Sequence, residues 1–184
     1  MTYYVVQVQA KKEKSFIRIA EKSLNDQHIK LLWPRKKMRI RRRGKWQESL
    51  SAIFSGYVFI QVEEISPYIY RCLKRIPGFI RFLKNNHDIS PLMDKDKEIV
   101  IHFLKFGEIV GMSYAKFEKN KKIRILSGPL KGLEGYIVKV NKRKKRIKVK
   151  LPLYNNSFLI DFGFKAIEDT DEYEKGNEQN KFKK

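Results

Sequence analysis

Apolar side chains recur along this chain with two different periods, and the switches between them mark out its elements. Tyr3–Gln9 (YYVVQVQ) is a short β-branched and aromatic run and predicts a first strand. In Lys11–Leu24, Phe16, Ile17, Ala20 and Leu24 recur at helical spacing with charges between them, an amphipathic helix expected to end at Asn25-Asp26. Ile29–Trp33 is a second apolar segment, which Pro34 limits to a strand end or sheet edge. Ala52–Val62 (AIFSGYVFIQV) has eight apolar residues in eleven and predicts the central strand. Ser66-Pro67 is an N-cap serine followed by proline at the first helical position, with Ile69, Leu73 and Ile76 as the buried stripe and Pro77-Gly78 as the stop. Phe79–Leu83 reads as a strand and Asn85-Asn86 as a turn. A third helix, capped by Asp94, carries Ile99, Val100, Phe103 and Leu104 on one face, with Gly107 beyond its end.

That order predicts an α+β domain over residues 1–108, an antiparallel sheet with three flanking helices. Residues 109–120 show no sustained period and read as a linker. From residue 121 the pattern changes to short strands only: Lys121–Leu126, Gly135–Val140, Arg146–Leu151, Ser157–Ile160 and Phe164–Ile167. Turn residues separate them, which predicts a small all-β barrel over 121–168. Residues 169–184 are polar and aperiodic and are expected to form a disordered tail.

Charge then changes the picture. The 184-residue chain carries 41 Lys and Arg against 20 Asp and Glu, a net +21, while its 42% hydrophobic content suffices for real cores. Such an excess works against compactness and points to a polyanionic partner, nucleic acid first. It is shared: 22 basic against 11 acidic residues up to residue 110, and 19 against 9 beyond it. The densest run is Arg35–Lys45 (RKKMRIRRRGK), eight cations in eleven positions, read as an arm that runs into water and returns through Gly44. It is expected to be wholly unburied, because an unpaired charge is costly to desolvate. In Val138–Lys150 (VKVNKRKKRIKVK), Lys139, Lys148 and Lys150 alternate with Val140, Ile147 and Val149, giving one cationic and one apolar strand face. The RNA-contact candidates are therefore Arg35, Lys36, Lys37, Arg39, Arg41, Arg42, Arg43 and Lys45, and Lys131, Lys139, Lys142, Arg143, Lys144, Lys145, Arg146 and Lys148.

Other chemistries find little support. No apolar run reaches the ~18 residues a membrane helix needs, and the amino terminus lacks a signal pattern. The single Cys72 excludes an intrachain disulfide and suits a reducing cytoplasm. His28, His87 and His102 share no ligand spacing, so neither a metal site nor a cofactor is expected, and His102 reads as an ordinary structural histidine. There is no nucleophile elbow and no catalytic motif, so an enzyme is not expected. The glycine-rich segment Gly128–Gly135 lacks the phosphate-loop ending and leads into a strand, so its glycines are expected to make tight turns.

The YYVVQVQ strand and following helix, F-S-G-Y-V-F-I at 54–60 and I-P-G-F at 76–79 resemble the amino-terminal domain of NusG-type transcription elongation factors. I-L-S-G-P-L-K-G-L-E-G-Y-I-V-K-V at 125–140, then R-I-K-V-K at 146–150, resemble that family's carboxy-terminal KOW barrel. Ser55 stands where the family usually has proline, and the run at 35–45 is more basic than a housekeeping member needs. That excess of charge makes the chain most similar to the specialised, operon-targeted LoaP-type antiterminators. The resemblance implies a cytoplasmic, monomeric, non-enzymatic factor that suppresses pausing and termination in a target operon. It would dock on RNA polymerase through Tyr3, Tyr4, Phe54 and Tyr57 and bind a structured nascent-RNA hairpin. It would face single-stranded non-template DNA with Tyr68, Tyr70, Arg71 and Lys74, and engage a ribosomal protein or Rho through the barrel. The competing expectation is a ribosome-associated or general RNA-binding KOW protein without polymerase docking.

Overall fold

The computed structural model of the chain describes residues 2–24, 28–83, 89–118, 123–154 and 156–167. The expected helix end at Asn25-Asp26, the turn at Asn85-Asn86, His87 and the tail 169–184 lie outside these residues.

The first sheet has the order β2 (Lys30–Leu32), β5 (Tyr57–Val62), β1 (Thr2–Val8), β6 (Phe79–Phe82). β1 and β5 run antiparallel, with Tyr4 opposite Ile60 and Val5 opposite Phe59. Because side chains alternate along a strand, Tyr4, Val6, Val8, Val58, Ile60 and Phe82 share one face. That face is covered by Phe16, Ala20 and Leu24 of α1 (Glu13–Leu24) and Ile69 and Leu73 of α2 (Pro67–Lys74). The Ser66 hydroxyl accepts from the Ile69 amide at 3.3 Å, so α2 starts as its sequence predicts.

The expected central strand over 52–62 is broken. Ala52 ends the preceding strand, and the chain turns through Ile53–Gly56 before β5 begins. Gly56 has φ +82°, and a Cβ there would lie 3.1 Å from the Val8 carbonyl oxygen. Its amide donates to the buried carboxylate of Glu13 at 2.7 Å, and its carbonyl accepts from Val8 N at 2.8 Å. The apolar composition of 52–62 hid this turn, since Ile53 and Phe54 are buried inside it.

The basic run forms a hairpin of β3 (Arg35–Arg42) and β4 (Lys45–Ala52), with β7 (Ile109–Val110) beside β3 in a second sheet. α3 (Asp94–Leu104) precedes β7. Asp94 is its first residue rather than its cap: Met93 holds the cap position with no side-chain hydrogen bond, and the Asp96 carboxylate accepts from the Tyr154 amide instead.

The third sheet has the order β10 (Ile137–Asn141), β11 (Arg146–Leu153), β12 (Asn156–Ala166), β8 (Ser113–Phe117), β9 (Ile123–Ser127). Two expectations differ here. The segment 109–120 is not unstructured linker over most of its length, since Ile109–Val110 extends the hairpin sheet and Ser113–Phe117 pairs parallel with β12. Too short to show a period of its own, β8 is held by pairing with residues fifty positions downstream. The strands expected at 157–160 and 164–167 are one continuous β12, paired to β11 through Gly163 and to β8 from Phe164, with Gly163 at a close approach to Met112.

The second face of the first sheet, with Val5, Phe54, Tyr57 and Phe59, is continuous with the core of the β domain. Phe103 stacks on Phe162 at 5.5 Å and meets Phe54 edge-on, while Phe158 meets both Phe54 and Tyr57. Tyr154 adds a polar tie, its hydroxyl donating to the carbonyls of Ser90 and Pro91. The layers are two helices, a sheet, then α3 and the β domain sharing one core.

Candidate nucleic-acid interface

Two local structures carry the densest charge. In the β3–β4 turn Arg43 and Gly44 both have positive φ (47° and 76°), the geometry a tight two-residue hairpin needs, and Arg41 Nε donates to the Gly44 carbonyl at 3.0 Å. In the β10–β11 turn the Asn141 side chain accepts from the Lys144 amide at 2.9 Å, and Lys145 N bonds back to the Lys142 carbonyl. Both tips are therefore held by local hydrogen bonds of their own, and the cations project from fixed supports.

The fold brings these tips together. Beyond its short pairing with β7, β3 has an open edge, and there the Arg146 guanidinium donates to the Arg39 carbonyl at 2.6 Å across 107 positions of sequence. Between the tips lies a cleft of about 120 Å³. Arg39, Arg143, Lys144, Lys145 and Lys165 line it as cations, together with Trp46, Met112, Gly163 and Phe164. A concave, positively charged surface with apolar walls focuses potential and concentrates an anionic ligand.

The candidate RNA residues divide by position. Arg39, Arg143, Lys144 and Lys145 line the cleft. Lys37, Arg41, Arg42, Arg43 and Lys45 are exposed along the hairpin, and Lys139 and Lys142 are exposed on the second one. Lys142 lies over the Phe117 ring at 3.9 Å, and Lys148 pairs with Asp161 at 3.7 Å. Arg35 is tied down by Glu108 at 3.2 Å and by the Trp33 ring. Lys131 belongs to the Gly128–Leu133 loop, fixed by the Ser113 hydroxyl accepting from Leu130 N and by His102 Nε2 donating to the Pro129 carbonyl, and does not line the cleft.

Lys36 contradicts the expectation that no part of the run is buried. It is 6% exposed, its ammonium donates to the Ala52 carbonyl at 2.8 Å and lies 5.5 Å from the Phe162 ring centroid. Burial, with Arg146 nearby, pushes its pKa down to about 8 against the opposing pull of Asp161. Strand alternation turns this one residue inward, which charge counting could not reveal.

Of the expected polymerase-docking residues, Tyr3, Phe54 and Tyr57 share the face of the first sheet that meets the β domain. Tyr4 is a correction: alternation puts it on the opposite face, beneath the helices, its hydroxyl donating to the Glu63 carbonyl at 3.4 Å. Burial pushes the Tyr4 phenol up from its ordinary value, with Glu64 adding to the shift. On α2, Tyr68 and Arg71 line one groove, while Tyr70 stacks on Phe82 and carries Lys74 over its ring. Trp46 and Lys165 were missed by sequence reasoning. An aromatic two positions after Gly44 in a cationic run was the available signal for the first, and Lys165 reaches the cleft only through pairing of β12. Among the described residues no His, Cys, Asp and Glu group could hold a metal ion, and no helix is long and apolar enough to cross a membrane.

Comparison with known proteins gives this architecture a context. The family model described as transcription termination factor nusG matches residues 1–101, more than half of the chain. The transcription termination/antitermination protein NusG of Neisseria meningitidis is 24% identical over 173 residues, covering 90% of this chain and 96% of that one. The protein of the same description from Borreliella burgdorferi is 26% identical over 179 residues, covering 90% and 97%. A solved structure from work on domain interaction in Thermotoga maritima NusG superposes with TM-score 0.57 at 18% identity, over 88% of this chain and 93% of that chain, and shares the fold. By the extent of the family match, the chain belongs to the NusG family, whose members are transcription factors and not enzymes.

Proposed function

We propose that this protein is a specialised antitermination factor of the LoaP type, recruited by a structured element in nascent RNA and acting on RNA polymerase in the cytoplasm. The observation that carries the RNA part is the convergence of the two basic segments on one cleft, joined by Arg146 and the Arg39 carbonyl. Neither segment has a structural need for so many exposed cations. The five cations of the cleft suit phosphates on neighbouring strands of a folded RNA, where contacts to backbone position the protein and contacts to bases specify the target. The β domain acts as a KOW-type module contributing half of that surface.

The polymerase part rests on the apolar face holding Tyr3, Phe54 and Tyr57. Phe158 of the β domain covers Phe54 and Tyr57 edge-on, at 5.6 and 5.3 Å. Docking through this face requires the β domain to move off, and the released domain is then free for a ribosomal protein or Rho. The groove of Tyr68 and Arg71 supports contact with single-stranded non-template DNA. The same covering by Phe158 favours the alternative, an RNA-binding protein that never docks on polymerase.

A labelled leader-RNA hairpin from the protein's own operon, titrated beside a scrambled hairpin across a salt series, tests the reading. Preference for the cognate hairpin that persists as salt rises is expected. Equal binding to both, falling ~10³–10⁵-fold between 50 and 200 mM as six to ten phosphate contacts would, removes the RNA-directed specialisation. Failure to associate with core polymerase leaves the alternative.

A further inference from the structure

Trp46 is out of place for a purely electrostatic surface. It is 51% exposed beside the β3–β4 turn, on the face of the hairpin it shares with Arg41 and Arg39, whose guanidinium lies 5.8 Å from the ring centroid. The contact with Arg39 leaves about half of the indole open to water, and phosphate recognition needs no aromatic. The cleft it lines has Gly163 and Met112 opposite, where a side chain at 163 would meet the Met112 thioether at 3.1–3.2 Å, so the wall there is flat backbone and soft sulfur.

We infer that this cleft is a nucleobase pocket: one unpaired base of the bound RNA leaves its stack and lies on the Trp46 ring, while its flanking phosphates are held by Arg143, Lys144, Lys145 and Lys165. The inference rests on the RNA-binding reading and deepens it by naming what the RNA must offer. Size is compatible with it: about 120 Å³, less than the roughly 150 Å³ that encloses one benzene ring, leaves a base lying in the open mouth of the cleft against Trp46 and not enclosed by it. Chemistry supports it too, because an aromatic face beside several cations matches the two parts of a nucleotide, and every base has a π-face to stack. A regular duplex hides those faces, so the preferred target carries a bulge or open loop.

The test uses the full chain in a Trp33→Phe background, so that Trp46 is the sole tryptophan. The probes are a short single-stranded RNA carrying one 2-aminopurine and a blunt RNA duplex of the same length. Binding of the single strand is expected to quench both Trp46 and 2-aminopurine emission. W46A should weaken the single strand about tenfold to a hundredfold and leave the duplex unchanged, and W46F should restore most of the loss. If W46A weakens neither RNA, or both alike, Trp46 does not stack a base and the inference falls while RNA binding stands. If the parent chain binds neither RNA at low salt, the RNA-binding reading itself fails and takes the pocket with it.

Discussion

Lys36 offers the most quantitative check on the seam between the hairpin and the β domain. Its pKa of about 8, against an ordinary 10.5, corresponds at 1.36 kcal/mol per unit to about 3 kcal/mol of disfavour for the charged form in the folded protein. Between pH 8 and 10.5 the unfolded chain holds this proton more firmly than the folded one, so folding stability rises with pH across that window. Below pH 8 the cost is fully present, and above 10.5 it is gone. Lys36→Met keeps the length and removes the charge, while giving up the bond to the Ala52 carbonyl, about 0.5–1.5 kcal/mol for a neutral donor. The variant should therefore be more stable than the parent by about 2 kcal/mol at pH 7. Urea unfolding at a series of pH values reads this directly. The advantage should shrink by about 2 kcal/mol by pH 9.5, as the parent sheds the proton. Ionisation of Tyr4 and Tyr154, whose phenols burial raises above 10.0, acts on parent and variant alike and cancels in their difference. An advantage independent of pH, or a Lys36→Met variant less stable than the parent at pH 7, would refute the reasoning: the ammonium would then be well solvated or paired.

Other perturbations address the remaining contacts. Phe158→Ala removes both edge-on contacts to the sheet face and should raise capture of core RNA polymerase in a pull-down, whereas unchanged capture would mean this face is not where polymerase binds. Replacing Arg143, Lys144 and Lys145 together by Gln should flatten the dependence of log affinity on log salt by about 2–3, at roughly 0.7–0.9 per lost phosphate contact, similarly for every RNA tried. Tyr154→Phe should cost about 1 kcal/mol by removing the hydroxyl's bonds to Ser90 and Pro91. Burial, with Asp96, pushes the Tyr154 phenol up to about 12, so its contribution is present below pH 10 and lost as pH rises towards 12, and a thermal melt of the variant should lack that alkaline decline.

The fold was legible wherever a local rule decides the structure. Ser66-Pro67 caps a helix by chemistry within four residues, and the alternation of Lys148 and Lys150 with Ile147 and Val149 gives one buried face in β11. It was illegible where a distant partner decides. Ser113–Phe117 carries no pattern of its own and becomes a strand by pairing with β12 and β9. Gly56 breaks an apolar run because Val8 and Glu13 require its backbone there. The site followed the same division. Net charge and its clustering identified the two basic hairpins, but their meeting depends on a core made from both parts of the chain, which also turned Lys36 inward and brought Lys165 to the cleft. Tyr3 and Tyr4 are adjacent and alike in sequence, and only the covering helices distinguish their faces.

The two proposed surfaces are made by one docking event, and this constrains how they can be used. The bond from Arg146 to Arg39 closes the cleft, and the contacts of Phe158 with Phe54 and Tyr57 cover the sheet face, across the same seam. An RNA that grips both hairpins stabilises the docked arrangement, and a polymerase that binds Phe54 and Tyr57 requires the undocked one. On the proposed reading linkage makes each ligand weaken the other by the same factor, so the RNA-bound docked form and the polymerase-bound open form would compete. Measuring the affinity of the hairpin RNA with and without saturating polymerase lacking its own transcript gives that factor. Its value should exceed one for the parent chain and fall towards one in Phe158→Ala, where the docked state has lost its advantage. Unaffected binding of both ligands together would mean that the RNA needs only the β3–β4 hairpin, and that Arg146 serves the seam rather than the RNA.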